Sequence, residues 1–563
     1  MKKIYFLLAV GAIFTASCNC FDCDAITGFS VNTKEVVVTQ NPDGTQAAKP
    51  AQIILTSSYN WTANNTAATY IDFTQTSGTG GIFHFPVSLT PEFYADWEAN
   101  PDRFPQVSMG KYRVGSLNFI SSQGQQIEVV FYYRTALITV TFDANGGSDA
   151  PEPVLTFAGE EGKFNLPEQG SMNHEGREFV GWNTSATAAS GSVHYMANEE
   201  VFFDADITLY ALWNGDGSSE DTPKYVYDRP TLEALRDDIA NKIEGLHYLQ
   251  IKDIDLTDRD DWKTIGGVYR PEGGGTQSWM PFVGSFDGNG YTTAYKVDRK
   301  VLEIEERQLA LFGLVGNHGS AIKPGHIKNL HVKAEITDYI GTTGSVTAAG
   351  IVAILGQGSI SNCWAEVNID IQVDRGGSAI NGTYICAAGI VAKLRGVNPG
   401  TVEKCVVSGT INGQALNASK QGVVLGGIAG YVGITTLSYT ATTTIQDCVV
   451  LAQSMTASTQ GKYALIGTVL GRNEIYVDGN FSPKDPSTYN LTSLTNCLLR
   501  SDATLTASAT MGAGNTSEKG YIDSGQHGQA ASQSTQVAFA NWTGGLSWLN
   551  AAPWTGWDLT TIQ

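Results

Sequence analysis

The chain has 563 residues, enough for three or four domains, and its 42% hydrophobic content excludes a disordered polymer. A mean hydropathy of -0.11 excludes a polytopic membrane protein. Sixty-two glycines favour short strands and turns, and a net charge of -20 excludes binding to a nucleic-acid backbone or docking on anionic lipid.

Residues 1–18 carry the three parts of an export signal. Lys2 and Lys3 form a basic start, Ile4 to Phe14 is an apolar run too short to span a bilayer, and the segment closes on Thr15-Ala16-Ser17-Cys18. The closing motif resembles a lipobox, which implies cleavage before Cys18, lipid attached to that cysteine, and anchoring to the outer membrane with display on the cell surface. No later apolar run is long enough for a membrane-spanning helix.

Residues 25–134 read as alternating strands. Glu35 to Val38, Gln52 to Leu55, Ile82 to Phe85 and Ile127 to Phe131 are separated by turn-rich stretches. With Ser57-Ser58-Tyr59-Asn60-Trp61-Thr62, the glycines from Gly78 to Gly81, and Arg113-Val114-Gly115-Ser116-Leu117-Asn118-Phe119, the order resembles the BACON domain. That implies an immunoglobulin-like sandwich; Trp61 is expected in its core, with stacking on a sugar ring as the other possibility. Residues 137–213 open on Val140-Thr141-Phe142-Asp143-Ala144-Asn145-Gly146-Gly147 and continue through Leu166-Pro167, Phe179-Val180-Gly181-Trp182 and Thr208 to Trp213. Asn145-Gly146-Gly147 supplies the positive φ of a tight turn. The four motifs resemble a Listeria–Bacteroides (internalin B-type) repeat, implying a small β-grasp-like spacer. Residues 214–224 read as a hydrophilic linker, and Pro230 to Lys242 as a helix with Leu232, Leu235, Ile239 and Ile243 as its apolar stripe, stopped by Gly245.

The rest of the chain repeats. Small-residue strands recur around Gly313, Gly350, Gly389, Gly427 and Gly467, spaced 37, 39, 38 and 40 residues apart. A second signature follows each, as in Ile327-Lys328-Asn329-Leu330-His331-Val332 and Ile360-Ser361-Asn362-Cys363-Trp364-Ala365. Its apolar residues sit at offsets 0, 3 and 5. A flat strand puts every second residue on one face, so a step of three followed by two requires a bend. The bend falls on Asn329, Asn362, Lys404, Asp447 and Asn496; Asn and Asp tolerate the left-handed conformation a corner demands, and Lys404 departs from that preference. Strand, corner and strand on a fixed period predict an all-β, right-handed parallel β-helix over residues 225–563, with the helix as its N-terminal cap. These residues resemble the GLUG motif of adhesin-like surface proteins. Cys363, Cys405, Cys448 and Cys497 share one place in successive repeats. The strand spacing of about 4.8 Å exceeds the Cβ separation a disulfide wants, so buried free thiols are expected.

No cofactor, metal or catalytic site is expected. Residues 341–467 hold five acidic and six basic residues, without the clustered carboxylates of a β-helix polysaccharide-degrading enzyme. The run Asp253, Asp255, Asp258, Asp260 and Asp261 reads as the solvated side of an entry strand, with calcium binding as the other possibility. Trp542, Trp548, Trp554 and Trp557 are the candidate ligand-binding residues, as a glycan-stacking platform; the competing reading is a C-terminal plug. The resemblance implies a monomeric binding protein for a host or neighbouring-cell ligand, protein or glycan. Glycan capture for polysaccharide uptake is the alternative, and an enzyme the third reading.

Overall fold

A computed structural model of the chain describes residues 28–39, 51–108, 110–134, 137–269, 278–298, 308–317, 321–339, 346–374, 382–416, 421–434, 443–461, 463–477, 482–483, 492–509, 521–523, 534–544 and 546–561. They are mostly strand, with two α-helices among them. Two compact units emerge: one from the described parts of Met1–Thr141, Glu152–Asn165 and Glu200–Ile207, the other from Phe142–Pro151, Leu166–Glu199 and Thr208–Gln563.

In the first unit, two mainly antiparallel sheets enclose one core. Ala51–Ser57 pairs with Phe29–Val31 and Gly81–Leu89, and Lys111–Ser121 pairs with Trp61–Asn65 and Gln126–Arg134. Glu35–Thr39 joins the second sheet in parallel. The four expected strands all lie within these. Trp61 is buried, with its ring edge-on to Phe83, Phe85 and Phe119. A helix, Pro91–Ala99, is an addition to the expected strands. Thr90 caps it by accepting from the Phe93 amide, and Pro91 starts it.

In the second unit, Phe179–Asn183 pairs with His194–Tyr195 and with the stretch from Tyr210 to Trp213. His194 is buried opposite Asn183. Burial, with the Lys252 ammonium adding, pulls its imidazole down to about 4, and the nearby Trp182 backbone offsets this only in part. Above pH 6.5 the ring is neutral in both folded and unfolded chains. As pH falls below 6.5 only the unfolded chain gains the proton, so stability drops until the folded ring also titrates near 4. About 2 kcal/mol is expected to be lost between pH 7 and pH 5. Urea unfolding at the two pH values, compared with His194→Gln, checks this; an equal pH dependence in the variant would refute it.

Residues 214–222 form a fastened turn. The Gly215 and Gly217 amides donate to Pro223 and Thr222, Asp216 accepts from Ser218 and Thr222, and the His247 amide donates to Gly217. The second helix runs Arg229–Ala240, capped by Asp228 and Thr231, with Leu232 and Leu235 buried. It ends two residues before the expected Lys242, because Lys242 itself adopts a φ of 59°. Ile243, expected on the apolar stripe, therefore lies past the end and is 45% exposed.

Three parallel sheets follow, each strand hydrogen-bonded to its counterpart one repeat later. The first runs through Leu246–Gln250, Gly284–Asp287, Gly325–Lys328, Val352–Ser361 and Val391–Glu403 and on into Thr443–Gln446. The second runs through Thr292–Asp298, His331–Asp338, Trp364–Asp374, Val406–Leu416 and Val449–Thr459. The third runs through Val346–Ala349, Gly382–Ala388, Gln421–Gly426 and Tyr463–Gly467. Stacked inward positions, such as Ile360–Val402–Ile445, Ala365–Val407–Val450 and Ala387–Leu425–Ile466, meet in one core.

The corners between the first and second sheets fall where the three-then-two step puts them. Asn329, Asn362, Lys404, Asp447 and Asn496 have φ of 55°, 51°, 51°, 53° and 53°, and Asn289, at 54°, is a further corner. The amides of Asn329, Asn362, Lys404 and Asp447 carry the hydrogen-bonded ladder through the bend to the next repeat. Lysine gains no local support there. Lys404→Asn is expected to raise stability by about 0.5–1 kcal/mol, read as a higher urea midpoint at unchanged slope. The thiols of Cys363, Cys405, Cys448 and Cys497 are buried and unpaired. Each lies within 3.2–3.5 Å of the carbonyl two residues earlier. Burial pushes the Cys405 thiol well above its ordinary range.

Candidate functional site

The faces turned away from the core decide where a ligand can sit. On the second sheet one outward column is His331, Trp364, Val406, Val449 and Leu498, one residue per repeat. An apolar outward column on a sheet demands a cover. Trp542, Leu549, Trp554 and Trp557 supply it, packing with Trp364, Val406, Val449 and Leu451. The cover starts where Ser534–Val537 pairs with Cys497–Arg500. It runs back across the sheet until the Trp557 indole donates to the Gly290 carbonyl. Trp557 packs tilted against His331, itself stacked on Trp364 at 4.0 Å between centroids.

This places the candidate tryptophans. Trp542, Trp554 and Trp557 are 5%, 1% and 9% exposed, and Trp548 is partly buried against Trp554. The ring faces of Trp542, Trp554 and Trp557 are spent on packing and only Trp548 keeps part of its ring exposed, so the four together present no open stacking platform. The segment is not an end plug either: it is a strap along the flank of the sheet, drawn there by the apolar column. Cys18 lies outside the described residues.

The first sheet presents the opposite chemistry. The residues flanking each inward Ile, Val or Leu of the repeat signature point outward, since neighbours on a strand alternate faces. One row is His247, Ser285, His326, Ser359, Thr401 and Thr444, in register across six strands. Two residues on, a second row holds Asp287, Lys328, Ser361, Glu403 and Gln446. At the N-terminal end of these rows is a groove of about 600 Å³. The turn bearing Glu220 and the segments around Glu244 and Ile322 to Pro324 line it. Ile322 is 81% exposed at its rim.

Hydrogen bonds preset the floor. His247 Nδ1 shares a proton with Ser285 Oγ at 2.8 Å, and His326 Nδ1 with Ser359 Oγ at 2.8 Å. Neither Nε2 has a partner among the described residues. Lys328 Nζ lies 3.0 Å from Glu220 and 3.4 Å from Asp287, and Lys323 pairs with Glu244. The Lys328 hydrogen bond holds the Glu220 carboxyl below its usual range. Burial, then the Lys328 charge, lowers the His326 imidazole, leaving it neutral at pH 7. The floor therefore offers groups that donate and accept, and its three carboxylates, Glu220, Asp287 and Glu244, outnumber its two ammonium groups by one.

Four of the five carboxylates of the acidic run behind the entry strand have protein partners. Asp253 accepts from the Thr292 amide, Asp255 from Thr257, and Arg229 pairs with Asp258 and Asp261. Among the described residues no group of three or more His, Cys, Asp or Glu is placed to hold a metal ion, and no helix is long and apolar enough to cross a membrane.

The groove residues escaped the sequence reading, although the hydroxyls and imidazole beside Ile327, Ile360, Val402 and Ile445 were the available signal. No curated protein and no solved structure matches the chain. One family model does: residues 139–212 match the Listeria-Bacteroides repeat domain, and this stretch of the chain is similar to that domain.

Proposed function

We propose that the chain is a lipid-anchored surface protein, held to the outer membrane through Cys18, whose three parallel sheets wind as a right-handed GLUG-type β-helix and bind a ligand on a host or neighbouring cell. Residues 25–134 act as an immunoglobulin-like, BACON-type stem in this reading. One observation carries it: the second sheet's apolar flank is sealed by the tryptophan strap, while among the described residues the first sheet keeps an unsealed polar groove. Rigid scaffolds put recognition on such surfaces. The preset imidazole–hydroxyl pairs also favour the second reading, glycan capture, because sugars need groups that both donate and accept.

The test is an array of glycans and matrix proteins probed with the mature protein, together with protease shaving of intact cells. Binding by the native chain that is lost in His326→Ala/Lys328→Ala supports the reading. Silence on every spot, or a protein shielded from protease on intact cells, defeats it.

A further inference from the structure

The row from His247 to Thr444 is a periodic surface. Its six members sit on successive parallel strands, one strand spacing apart. At about 4.8 Å per step the row extends about 24 Å across the strands. Every member carries an imidazole or a hydroxyl, able both to donate and to accept, and all but the buried Ser285 can be reached from outside. The hydroxyls of Ser361, Thr401 and Thr444 have no side-chain partner among the described residues. A ligand making the same contact at each step must itself repeat, and must lie along the row.

Charge narrows the class. Lys328 pairs with Glu220 and Asp287 and Lys323 with Glu244, while Glu403 accepts from the neutral Gln446 amide at 2.7 Å, so four carboxylates stand against two ammonium groups. The face offers no free cation row to a polyanion, and a chain of net charge -20 repels one. An extended peptide adding as a strand needs an unpaired sheet edge; here every strand from Leu246–Gln250 to Val391–Glu403 has hydrogen-bonded neighbours on both sides. An uncharged polymer rich in hydroxyls matches a face that is polar and periodic, whose ammonium groups are already paired and whose acidic excess repels anions.

We infer that the outer face of the first sheet is a subsite for a linear neutral glycan, lying along the row from His247 through Ser359 to Thr444 and hydrogen-bonded step by step. The inference rests on the proposal that this face is the ligand-binding surface, and it names the ligand's class and direction.

The test uses the mature full chain with immobilised neutral linear polysaccharides (glucans, mannans and galactans), their sulfated or carboxylated counterparts, and proteins. Neutral glycan should be bound, with affinity rising with oligosaccharide length until the chain spans the row and then levelling. Thr401→Val/Thr444→Val, nearly isosteric at partly buried outward positions, should weaken it roughly tenfold while leaving the urea midpoint unchanged. Ser359→Glu gives a second arm that does not depend on the first variant's folding, and it should also weaken binding. Preference for the charged glycans overturns the inference. So does neutral binding indifferent to both variants. A protein ligand lost in His326→Ala/Lys328→Ala overturns the glycan class while keeping the binding face, whereas no ligand at all removes both.

Discussion

A Trp554→Ala chain is expected to lose about 3–5 kcal/mol of stability and to uncover the flank of the second sheet. Trp554 is 1% exposed, with ring centroids 4.9 Å from Trp548 and 4.7 Å from Trp557, in the cluster that seals Trp364, Val406 and Val449. Its indole N–H has no partner among the described residues, so the variant loses packing and leaves none of them stranded without a hydrogen bond. The strap beyond Val537 holds short 3₁₀ turns and no strand among its described residues, so side-chain burial rather than a backbone ladder fixes it. Three readings should move together: a lower urea midpoint, binding of a hydrophobic dye, and early proteolysis within residues 538–561. Trp548→Ala, at a partly exposed ring, should cost less. Unchanged stability and dye binding in Trp554→Ala would mean that the flank is not sealed by this segment, and the contrast between the two outer faces would go with it.

The repeat was legible because its signal is local. An apolar step of three then two forces a corner within one signature, and the φ of 51–55° at Asn329, Asn362, Lys404, Asp447 and Asn496 follows from those few residues. The strap depended on contacts across 267 residues, between Trp557 and Gly290, which no periodicity reports. Its landing site still left a trace. Trp364-Ala365, Val406-Val407 and Val449-Val450 are adjacent apolar pairs at strand starts, so both faces of the second sheet are apolar there and one must meet a cover. The helix at Pro91 was also legible: threonine, proline and then Phe93, Tyr94 and Trp97 form a cap and an apolar stripe, masked by the strand pattern around them. The groove was half legible. Its floor follows from alternation, but Glu220 and Ile322 reach its walls from separate turns.

Gly389→Ala is expected to cost more than about 3 kcal/mol, or to prevent folding of the three-sheet unit. A methyl at that position would sit 2.3 and 2.6 Å from the two Val407 methyls and 2.7 Å from the Gly427 carbonyl oxygen. Val407 cannot retreat, because it is stacked between Ala365 and Val450 in the core. The backbone cannot retreat either, since the Gly389 amide donates to Gly427 at 2.8 Å and its carbonyl accepts from Gly350 at 2.9 Å. Gly350 and Gly427 face Val367 and Val450 in the same way, so the strain has nowhere to relax along the stack. Gly389→Ala/Val407→Ala removes the side-chain clash and keeps the one with the carbonyl, so it should recover part of the loss relative to the sum of the single changes. Gly556→Ala, with nothing within 4 Å of the added carbon, is the neutral control. Native stability in Gly389→Ala would show that the corner into the first sheet is not packed on Val407. Because the row on the first sheet is spaced by that stacking, a misfolded or shifted repeat should lose ligand binding along with register, whereas the control should keep both.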